Sequence, residues 1–310
     1  SPGERNLLLG RALLWGSEKT RIKRMVTEGK WGRRVVDRFV AGDQLEDAVR
    51  VIQGLNAKGI GGILDLLGEG VSDPGGAQAA ADDYLASIKR VGETGIDTTV
   101  AIKLTQLGLS FDKGACIDHM RLLVAEAQAL GTTIEIDMEQ SAYVTDTMDV
   151  FRLLRTDFTD LRMAIQAYLR RTPLDLEGLI DIPPKIRLVK GAYAEDPGIA
   201  FQKGHEIDQQ YRFLTEWLFR KGTVPAIATH DTRLIEHARA SAERNGKGLA
   251  DFEVQMLYGI RRELQEKLAN SGYRVRVYVP FGSAWYEYLM RRMAERPANI
   301  RFFLRAMARD

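Results

Sequence analysis

The sequence predicts an α/β fold in which eight strands and their connecting helices close into a single (βα)8 barrel. Short apolar segments alternate with longer amphipathic ones over most of the chain, and eight strand-like segments can be counted. The chain has 310 residues, a length that suits one such barrel. Polar residues also follow nearly every strand candidate, and in this fold class the working groups lie where strands end.

The first part of the chain contains no strand-like segment. From Leu7 to about Asn56 the apolar residues follow helical spacing, so we expect a helical extension over residues 1–58 and the barrel over residues 59–310. The extension carries a cluster of basic residues, at Lys19, Arg21, Lys23, Arg24, Lys30, Arg33 and Arg34. Such a cluster either faces solvent or attracts the protein weakly to an anionic lipid surface.

The barrel elements then follow one another without a linker or a repeat. The strand candidates are Gly62 to Leu67, Thr99 to Leu104, Thr133 to Met138, Met163 to Gln166, Ile186 to Lys190, Ala226 to Thr229, Phe252 to Gln255 and Val275 to Val279. Helical spacing lies between them, at Ala77 to Val91, Cys116 to Leu130, Thr145 to Arg155, Glu206 to Lys221 and Leu234 to Asn245.

The segment after the last strand predicts a helix with two different faces. Pro280 and Gly282 are expected to end the strand, Ser283 is a good helix cap, and Pro297 cannot continue the helix. The polar face carries Tyr288, Arg291, Arg292 and Glu295. This face either is exposed to solvent or forms a clamp for an anion, because paired guanidinium groups bind carboxylates and phosphates bidentately.

The strand ends deliver a set of chemically capable side chains to one face of the predicted barrel. They are Glu69, Lys103, Asp137, Gln166, Arg187, Lys190, His230, Gln255 and Tyr278. After one strand, Gly191 separates Lys190 from Ala192; it either lets backbone N–H groups approach a phosphate or a ring, or serves only as a turn.

Several classes of function are disfavoured. A net charge of +2 gives no case for nucleic-acid binding, and the four histidines show no metal-binding spacing. The sequence contains neither a GxGxxG dinucleotide motif nor a nucleophile motif that could complete a triad around His230. We find no signal peptide or membrane span, and Cys116 as the single cysteine favours a reducing, cytoplasmic compartment.

The motifs at the strand ends resemble those of a known family. The segments IDMEQS, AIQAYLRR, RLVKGAY, IATHD, FEVQMLYG and YVPFGSAWYEYLMRRMAERPAN occur in this order. From about residue 61 to residue 301 the sequence resembles the flavin-dependent proline dehydrogenases, and in particular their monofunctional bacterial form. The resemblance implies a distorted (βα)8, TIM-like barrel that binds FAD non-covalently against its C-terminal face, with the last helix over its mouth. It further implies oxidation of L-proline to Δ1-pyrroline-5-carboxylate, the first step of proline catabolism, by hydride transfer to flavin N5.

The partners that the resemblance implies are a membrane quinone as the electron acceptor and a separate pyrroline-5-carboxylate dehydrogenase downstream. With a quinone in the membrane, the basic cluster of the extension would have a purpose as a weak peripheral contact with the inner membrane.

The resemblance also implies roles for individual residues. Asp137 and Arg187 would be catalytic, with Arg187 near flavin N5. The substrate would contact Lys103, Leu257, Tyr278, Tyr288, Arg291 and Arg292. The cofactor would contact Ile136, Met138, Gln166, Arg187, Lys190, Gly191, Ala192, Thr229, His230 and Glu295. Glu69 would pair with Arg292 as a gate, and no metal is expected.

Three alternatives remain open at this point. A flavin barrel of the methylenetetrahydrofolate reductase kind would share the hydride chemistry. A Schiff-base lyase would use Lys103 or Lys190 as its nucleophile. A barrel that binds proline but does not react would predict proline binding without bleaching of the flavin.

Overall fold

The computed structural model describes residues 36–68 and 70–295 and forms a closed barrel of eight parallel strands in sequence order. The strands are β1 (Gly61–Leu66), β2 (Thr98–Ile102), β3 (Ile134–Ile136), β4 (Leu161–Gln166), β5 (Lys185–Val189), β6 (Ala226–Ala228), β7 (Glu253–Leu257) and β8 (Arg274–Phe281). β8 pairs with β1 and closes the ring, for example with Tyr278 opposite Ile63. The predicted fold class is therefore confirmed.

The helices lie between these strands and at both ends of the described chain. They are α1 (Leu45–Asn56), α2 (Pro74–Thr94), α3 (Lys113–Ala129), α4 (Val144–Arg155), α5 (Thr172–Glu177), α6 (Gly204–Lys221), α7 (Thr232–Arg244), α8 (Arg262–Asn270) and α9 (Trp285–Glu295). Local sequence explains several starts: Asp73 and Asp112 accept hydrogen bonds from the backbone N–H groups of Gly76 and Ala115, as N-caps of α2 and α3. None of the helices in this part of the chain is long and apolar enough to cross a bilayer.

The part of the N-terminal extension that the structure describes packs against the barrel. α1 packs along β1 and β8 and buries Ala48, Val49 and Ile52. Ile52 lies so close to Gly62 that a Cβ there would come within 2.7 Å of its side chain, so the glycine permits the contact. The basic cluster at residues 19–34 lies outside the described residues.

The end of β8 differs from the prediction. The strand continues through Pro280 to Phe281 instead of stopping at Pro280. A proline removes only one backbone donor, and here its carbonyl accepts a hydrogen bond from the N–H of Ala41 at 2.8 Å. Gly282 does end the strand, with φ of +122°.

The last helix, α9, lies over the mouth of the barrel. It forms a small apolar cluster with segments beside the strand ends, in which Tyr286 and Leu289 of α9 contact Phe39, Leu67 and Ile260. α1, and not α9, packs against the outside of β8 and β1, and α9 covers the strand ends. In a regular barrel the helix after each strand belongs to the outer ring, so the position of α9 is where this fold departs from that pattern.

Charged residues fill much of the barrel interior, where layers of aliphatic side chains are usual. Arg162 and Glu135 are 1% and 0% exposed. The apolar core lies mainly between the strands and the surrounding helices, with residues such as Leu123 and Leu218 fully enclosed. The polar interior leads directly to the candidate site.

Candidate active site

A cavity of about 270 Å³ opens at the carboxyl ends of the strands, under α9. Most of the residues expected from the sequence line it: Lys103, Asp137, Met138, Gln166, Arg187, Lys190, Gly191, Ala192, Thr229, His230, Leu257, Tyr278, Tyr288 and Arg292. Ile136 does not line it, because its side chain is fully buried in the apolar core. The side chains of Arg291 and Glu295 and the whole of Glu69 lie outside the described residues.

Asp137 is the centre of the polar floor of the cavity. Its Oδ1 accepts a hydrogen bond from Arg187 Nη1 at 2.5 Å, and its Oδ2 accepts one from the Tyr278 hydroxyl at 2.5 Å. Lys103 Nζ lies 3.2 Å from the same Oδ2. Four strands, β2, β3, β5 and β8, therefore bring one anion, two cations and a phenol together.

These contacts fix the charge state of the floor at neutral pH. Burial alone would raise the pKa of the Asp137 carboxyl, but the two neighbouring cations and the tyrosine hydroxyl hold it below its ordinary value. Burial would lower the pKa of the Lys103 amine, but the anions around it, with Asp65 first, raise it well above its ordinary value. Burial and the same anions raise the pKa of Tyr278 well above its usual range. Asp137 is thus an anion, Lys103 a cation and Tyr278 a neutral donor.

Arg187 is held from behind by a second carboxylate. Glu135 Oε2 accepts hydrogen bonds from Arg187 Nε at 3.0 Å and Nη2 at 2.8 Å. Glu135 is itself held by Arg162 at 3.2 Å and by the Thr99 hydroxyl at 2.8 Å. Burial raises the pKa of Glu135, but the two arginines and the hydrogen bonds outweigh it and keep the pKa far below its ordinary range. The guanidinium of Arg187 therefore has one orientation, with its Nη1 edge towards Asp137.

α9 supplies the roof of the cavity. Tyr288 is 5% exposed, and the guanidinium carbon of Arg292 lies 5.3 Å from the centre of its ring. Both residues line the cavity and do not form an exposed surface, so the solvent-face interpretation of the α9 polar face does not hold for them. A guanidinium that lies over an aromatic ring is held in a defined position.

The wall along β4, β5 and β6 has a different chemistry. Gln166 donates through Nε2 to the Glu139 carbonyl at 3.0 Å, and Lys190 Nζ lies 2.5 Å from Asp208 Oδ1. His230 Nε2 accepts a hydrogen bond from the N–H of Leu257 at 2.9 Å, which places the proton of the neutral ring on Nδ1. Thr229 completes the wall beside His230.

Gly191 is required for a reason that the sequence did not reveal. Its φ is +122°, and a Cβ at this position would lie 2.1 Å from Cδ1 of the Tyr168 ring. The glycine therefore lets the turn after β5 pack flat against Tyr168.

The mixture of apolar, hydrogen-bonding and charged groups around this part of the cavity fits a flavin nucleotide. Apolar residues such as Met138 and Val189 alternate with hydrogen-bonding groups, as a planar heterocycle with polar edges requires. The Oε1 atom of Gln255 is buried and has no hydrogen-bond partner among the described residues, so it is an acceptor available to a bound group. The guanidinium of Arg187 adds a fixed positive charge at the same wall.

Two buried carboxylates that pair with the cations of the cavity floor were absent from the sequence-based set. Asp65 on β1 is 1% exposed, lines the cavity and accepts a hydrogen bond from Lys103 Nζ at 2.8 Å. Glu135 lies two residues before Asp137 on the same inward face of β3. Both carboxylates interrupt apolar strand segments, and buried acids are rare unless they are paired, which is the signal that could have identified them.

Comparisons with known proteins agree on one family. A family model described as proline dehydrogenase matches residues 48–305. The proline dehydrogenase of Deinococcus radiodurans is 38% identical over 305 residues, which cover 97% of this chain and 98% of that protein. Proline dehydrogenase 1 of Bacillus subtilis is 37% identical over 270 residues, which cover 87% of this chain and 89% of that protein.

A solved structure shows the same fold. The crystal structure of proline utilization A from Bdellovibrio bacteriovorus, inactivated by N-propargylglycine, matches with a TM-score of 0.80 at 24% identity. The match covers 85% of this chain but 33% of that protein, so the present chain corresponds to about a third of the longer one.

Proposed function

Because this chain belongs to the proline dehydrogenase family, we propose that it oxidises L-proline to Δ1-pyrroline-5-carboxylate with FAD as its cofactor. The observation that carries the proposal is the cavity itself, where cations from β2 and α9 lie beside the Asp137, Arg187 and Tyr278 cluster. A small amino acid with one carboxylate and an apolar ring matches this combination of charge and surface.

The substrate carboxylate binds between Lys103 and Arg292. Lys103 is a cation at neutral pH, and the guanidinium of Arg292 offers two parallel donors to a carboxylate. Arg291 neighbours Arg292 in sequence and is proposed to add a second guanidinium. Leu257 and the rings of Tyr278 and Tyr288 bound the remaining space and exclude water from the apolar ring.

FAD, when bound, supplies an acceptor for the hydride that leaves the ring carbon next to the proline nitrogen. Its flavin ring is proposed to lie against Arg187, Gln166 and Met138, and the rest of the cofactor against Lys190, Gly191, Ala192, Thr229 and His230. Arg187 holds a positive charge in place there, since Glu135 and Asp137 fix both edges of its guanidinium. A fixed cation stabilises negative charge that develops on the cofactor side of the reaction.

The lysine-based alternative is disfavoured by the ion pairs. A Schiff-base nucleophile must lose its proton, and this requires a lowered pKa. The pKa of Lys103 is instead raised well above its ordinary value by the carboxylates around it. Lys190 is paired with Asp208 at 2.5 Å.

The electrons are proposed to pass to a quinone in the membrane, and a separate pyrroline-5-carboxylate dehydrogenase then consumes the product. We place the protein in the cytoplasm, in weak contact with the inner membrane through the basic cluster at residues 19–34. Flotation with anionic and neutral vesicles at low salt tests that contact, because electrostatic attraction retains the protein on anionic vesicles alone. Equal flotation with both, or with neither, contradicts it.

An anaerobic visible spectrum of the purified protein, before and after addition of L-proline, tests the main proposal. Flavin absorption that bleaches with L-proline and persists with D-proline is the expected result. Flavin absorption that L-proline leaves unchanged contradicts proline oxidation and favours the reductase alternative or a barrel that only binds. A protein that takes up no FAD contradicts the cofactor assignment.

A further inference from the structure

Glu135 lies behind the cavity floor and accepts hydrogen bonds from four other strands. It is 0% exposed and does not line the cavity. Its Oε1 accepts from Thr99 Oγ1 at 2.8 Å and from Arg162 Nη1 at 3.2 Å, and its Oε2 accepts from Arg187 Nε and Nη2 at 3.0 and 2.8 Å. Gln255 Nε2 lies 3.3 Å from both oxygens. The carboxylate is therefore held in place by the barrel itself.

The guanidinium of Arg187 keeps donors that the protein does not use. Of its five N–H groups, Glu135 accepts from those on Nε and Nη2, and Asp137 accepts from one on Nη1. One N–H on each terminal nitrogen thus has no acceptor among the described residues, although Arg187 is 5% exposed and lines the cavity. Buried donors are costly to leave unpaired, so these two point to an acceptor that arrives with a bound group.

Two bound groups are candidates for that acceptor. The substrate carboxylate is assigned to Lys103 and Arg292 in the proposed function, and Asp137 stands between Lys103 and Arg187. The flavin ring carries acceptor nitrogens and carbonyl oxygens along its polar edge and is assigned to Arg187 itself. The remaining donors are therefore available to the cofactor.

We propose that Glu135 is a positioning residue for the cofactor: it holds Arg187 from behind, so that the remaining N–H groups of the guanidinium meet the flavin ring and raise its reduction potential. This inference rests on the proposed function, in which FAD lies against Arg187. Reduction adds negative charge to the flavin ring, and a hydrogen-bonded cation stabilises that charge.

The effect comes from the direction of the guanidinium and not from the charge of Glu135. A buried anion near the flavin would by itself disfavour the reduced form. Arg162, at the other carboxylate oxygen of Glu135, offsets that charge.

The Glu135→Asp variant separates position from charge. It keeps the carboxylate but shortens the side chain by one methylene, about 1.5 Å, so the hydrogen bonds to Arg187 at 2.8 and 3.0 Å are lost or bent. We expect the equilibrium constant for two-electron reduction of the bound flavin to fall about tenfold, which lowers the midpoint potential by about 30 mV. Titration of the FAD-loaded protein against a reference dye measures this potential without proline.

Glu253→Asp is the matched control in the same buried network. Glu253 binds Arg162 at 2.8 Å and Gln255 at 3.2 Å, and it has no hydrogen bond or ion pair with Arg187 among the described residues. We expect both aspartate variants to lose stability in chemical denaturation, whereas Glu253→Asp keeps the wild-type potential. A purely structural role for Glu135 would change stability alone.

A double-mutant cycle with Arg187→Lys tests whether Glu135 acts through the arginine. Lysine keeps the positive charge but lacks the planar fork that Glu135 orients. In the Arg187→Lys protein we therefore expect Glu135→Asp to shift the potential much less than it does in the wild type.

Thr99→Val is the second variant, for the case that Glu135→Asp does not fold. It is isosteric, changes no charge and removes one of the hydrogen bonds that hold Glu135. We expect a smaller shift of the potential in the same direction, and an unchanged potential would then overturn the proposal.

An unchanged potential in Glu135→Asp overturns the proposal directly. An equal shift in Glu253→Asp also overturns it, because the interior charges would then act as a whole. So does an undiminished shift in the Arg187→Lys protein, because Glu135 would then act without the arginine. Failure of the proposed function has a different signature, in which the potentials follow the expected order but L-proline does not bleach the flavin.

Discussion

Arg292 is the residue whose interpretation changes most between sequence and structure. On the sequence alone it belongs to a helix face that either meets solvent or binds an anion. In the structure it is half-buried, lines the cavity and lies against the ring of Tyr288. The proposed role of Arg292 in binding the substrate carboxylate rests on its planar guanidinium, which can make two parallel hydrogen bonds.

The Arg292→Lys variant keeps the charge and removes the second donor. We expect the KM for L-proline to rise about tenfold or more, from the loss of about 1.5–3 kcal/mol in a charge-assisted hydrogen bond. Steady-state kinetics with an artificial electron acceptor measure this directly. Arg233→Lys, at a side chain that is 71% exposed and paired with Asp231, is the control for a generic arginine-to-lysine effect. An unchanged KM in Arg292→Lys would return the residue to a purely structural role.

The charge state of the cavity floor leads to a prediction for pH. The pKa values of Lys103 and Tyr278 are raised well above their ordinary values, so both groups keep their protons from neutral to mildly alkaline pH. The substrate nitrogen must be neutral before hydride can leave the neighbouring carbon. We therefore expect kcat/KM to increase between about pH 6 and pH 9 with the deprotonation of the substrate. A flat profile over this range would contradict the mechanism.

Sequence reasoning located Asp137, Arg187, Lys103 and Tyr278 because one rule, function at the carboxyl ends of barrel strands, applies to each strand separately. It did not locate Asp65 or Glu135. Their importance depends on contacts between strands, which join Asp65 to Lys103 over 38 residues of the chain and Glu135 to Arg187 over 52. Partners so distant in sequence leave no periodic signal.

At the scale of single elements, the turn after β5 shows how a backbone conformation shapes the site. The residues that follow the strand, from Lys190 to Tyr193, form one wall of the cavity. Gly191 brings this turn into contact with the Tyr168 ring. A side chain at residue 191 would therefore displace the whole turn that forms this wall of the cavity, and not residue 191 alone.

The Gly191→Ala variant should therefore lose both stability and cofactor affinity. The new Cβ meets a ring carbon at 2.1 Å in a left-handed conformation. Strain of this kind costs on the order of 1–3 kcal/mol. Chemical denaturation and titration with FAD measure the two losses.

Gly198→Ala is the matched control in the same connection, because no atom lies within 4 Å of the Cβ position. We expect this variant to keep the wild-type stability and FAD affinity. Equal effects of the two substitutions would show that the contact with Tyr168 is not the cause.

The strands show how closely the ends of an element can be predicted from the sequence. All eight were located, with shifts of a few residues at their ends. β8 was predicted to stop at Pro280, but pairing with β1 and the hydrogen bond from Ala41 carry it through the proline. Tertiary contacts of this kind override local signals at strand ends.

At the scale of the whole molecule, the buried ion pairs join strands from opposite sides of the barrel. Arg162 on β4 contacts both Glu135 on β3 and Glu253 on β7, at 3.2 and 2.8 Å. Burial raises the pKa of each glutamate, but the arginines more than compensate and hold both below their ordinary values. Protonation of either glutamate would therefore remove an ion pair that holds strands of the closed barrel together.

This network predicts a loss of stability in acid. A carboxyl group whose pKa is lower in the folded state stabilises the protein above its unfolded pKa, and that contribution is lost as pH falls through the folded value. We expect the free energy of unfolding to decrease as the pH falls below about 4.5. Chemical denaturation in a series of buffers measures the slope.

Two variants distinguish the contribution of this buried network to acid stability from that of other carboxylates. Glu253→Gln should be less stable than the wild type at neutral pH and should show a shallower acid slope, because one of the linked groups is gone. Glu266→Gln removes an acid whose partner, Lys58, is 57% exposed, and such pairs contribute little. The same slope in wild type and Glu253→Gln would mean that other groups control the acid transition.

The charged interior has a consequence for the chain before it folds. Parallel strands pair only after long connections are closed, so in a newly made barrel protein they are exposed for some time. Segments with high β-propensity and no charge associate between chains, and charged residues within or beside them oppose this. Glu135, Arg162, Arg187, Glu253 and Arg276 each place a charge within or at the start of one of the strands. The groups that organise the interior of the folded barrel therefore also act as gatekeepers against aggregation during synthesis.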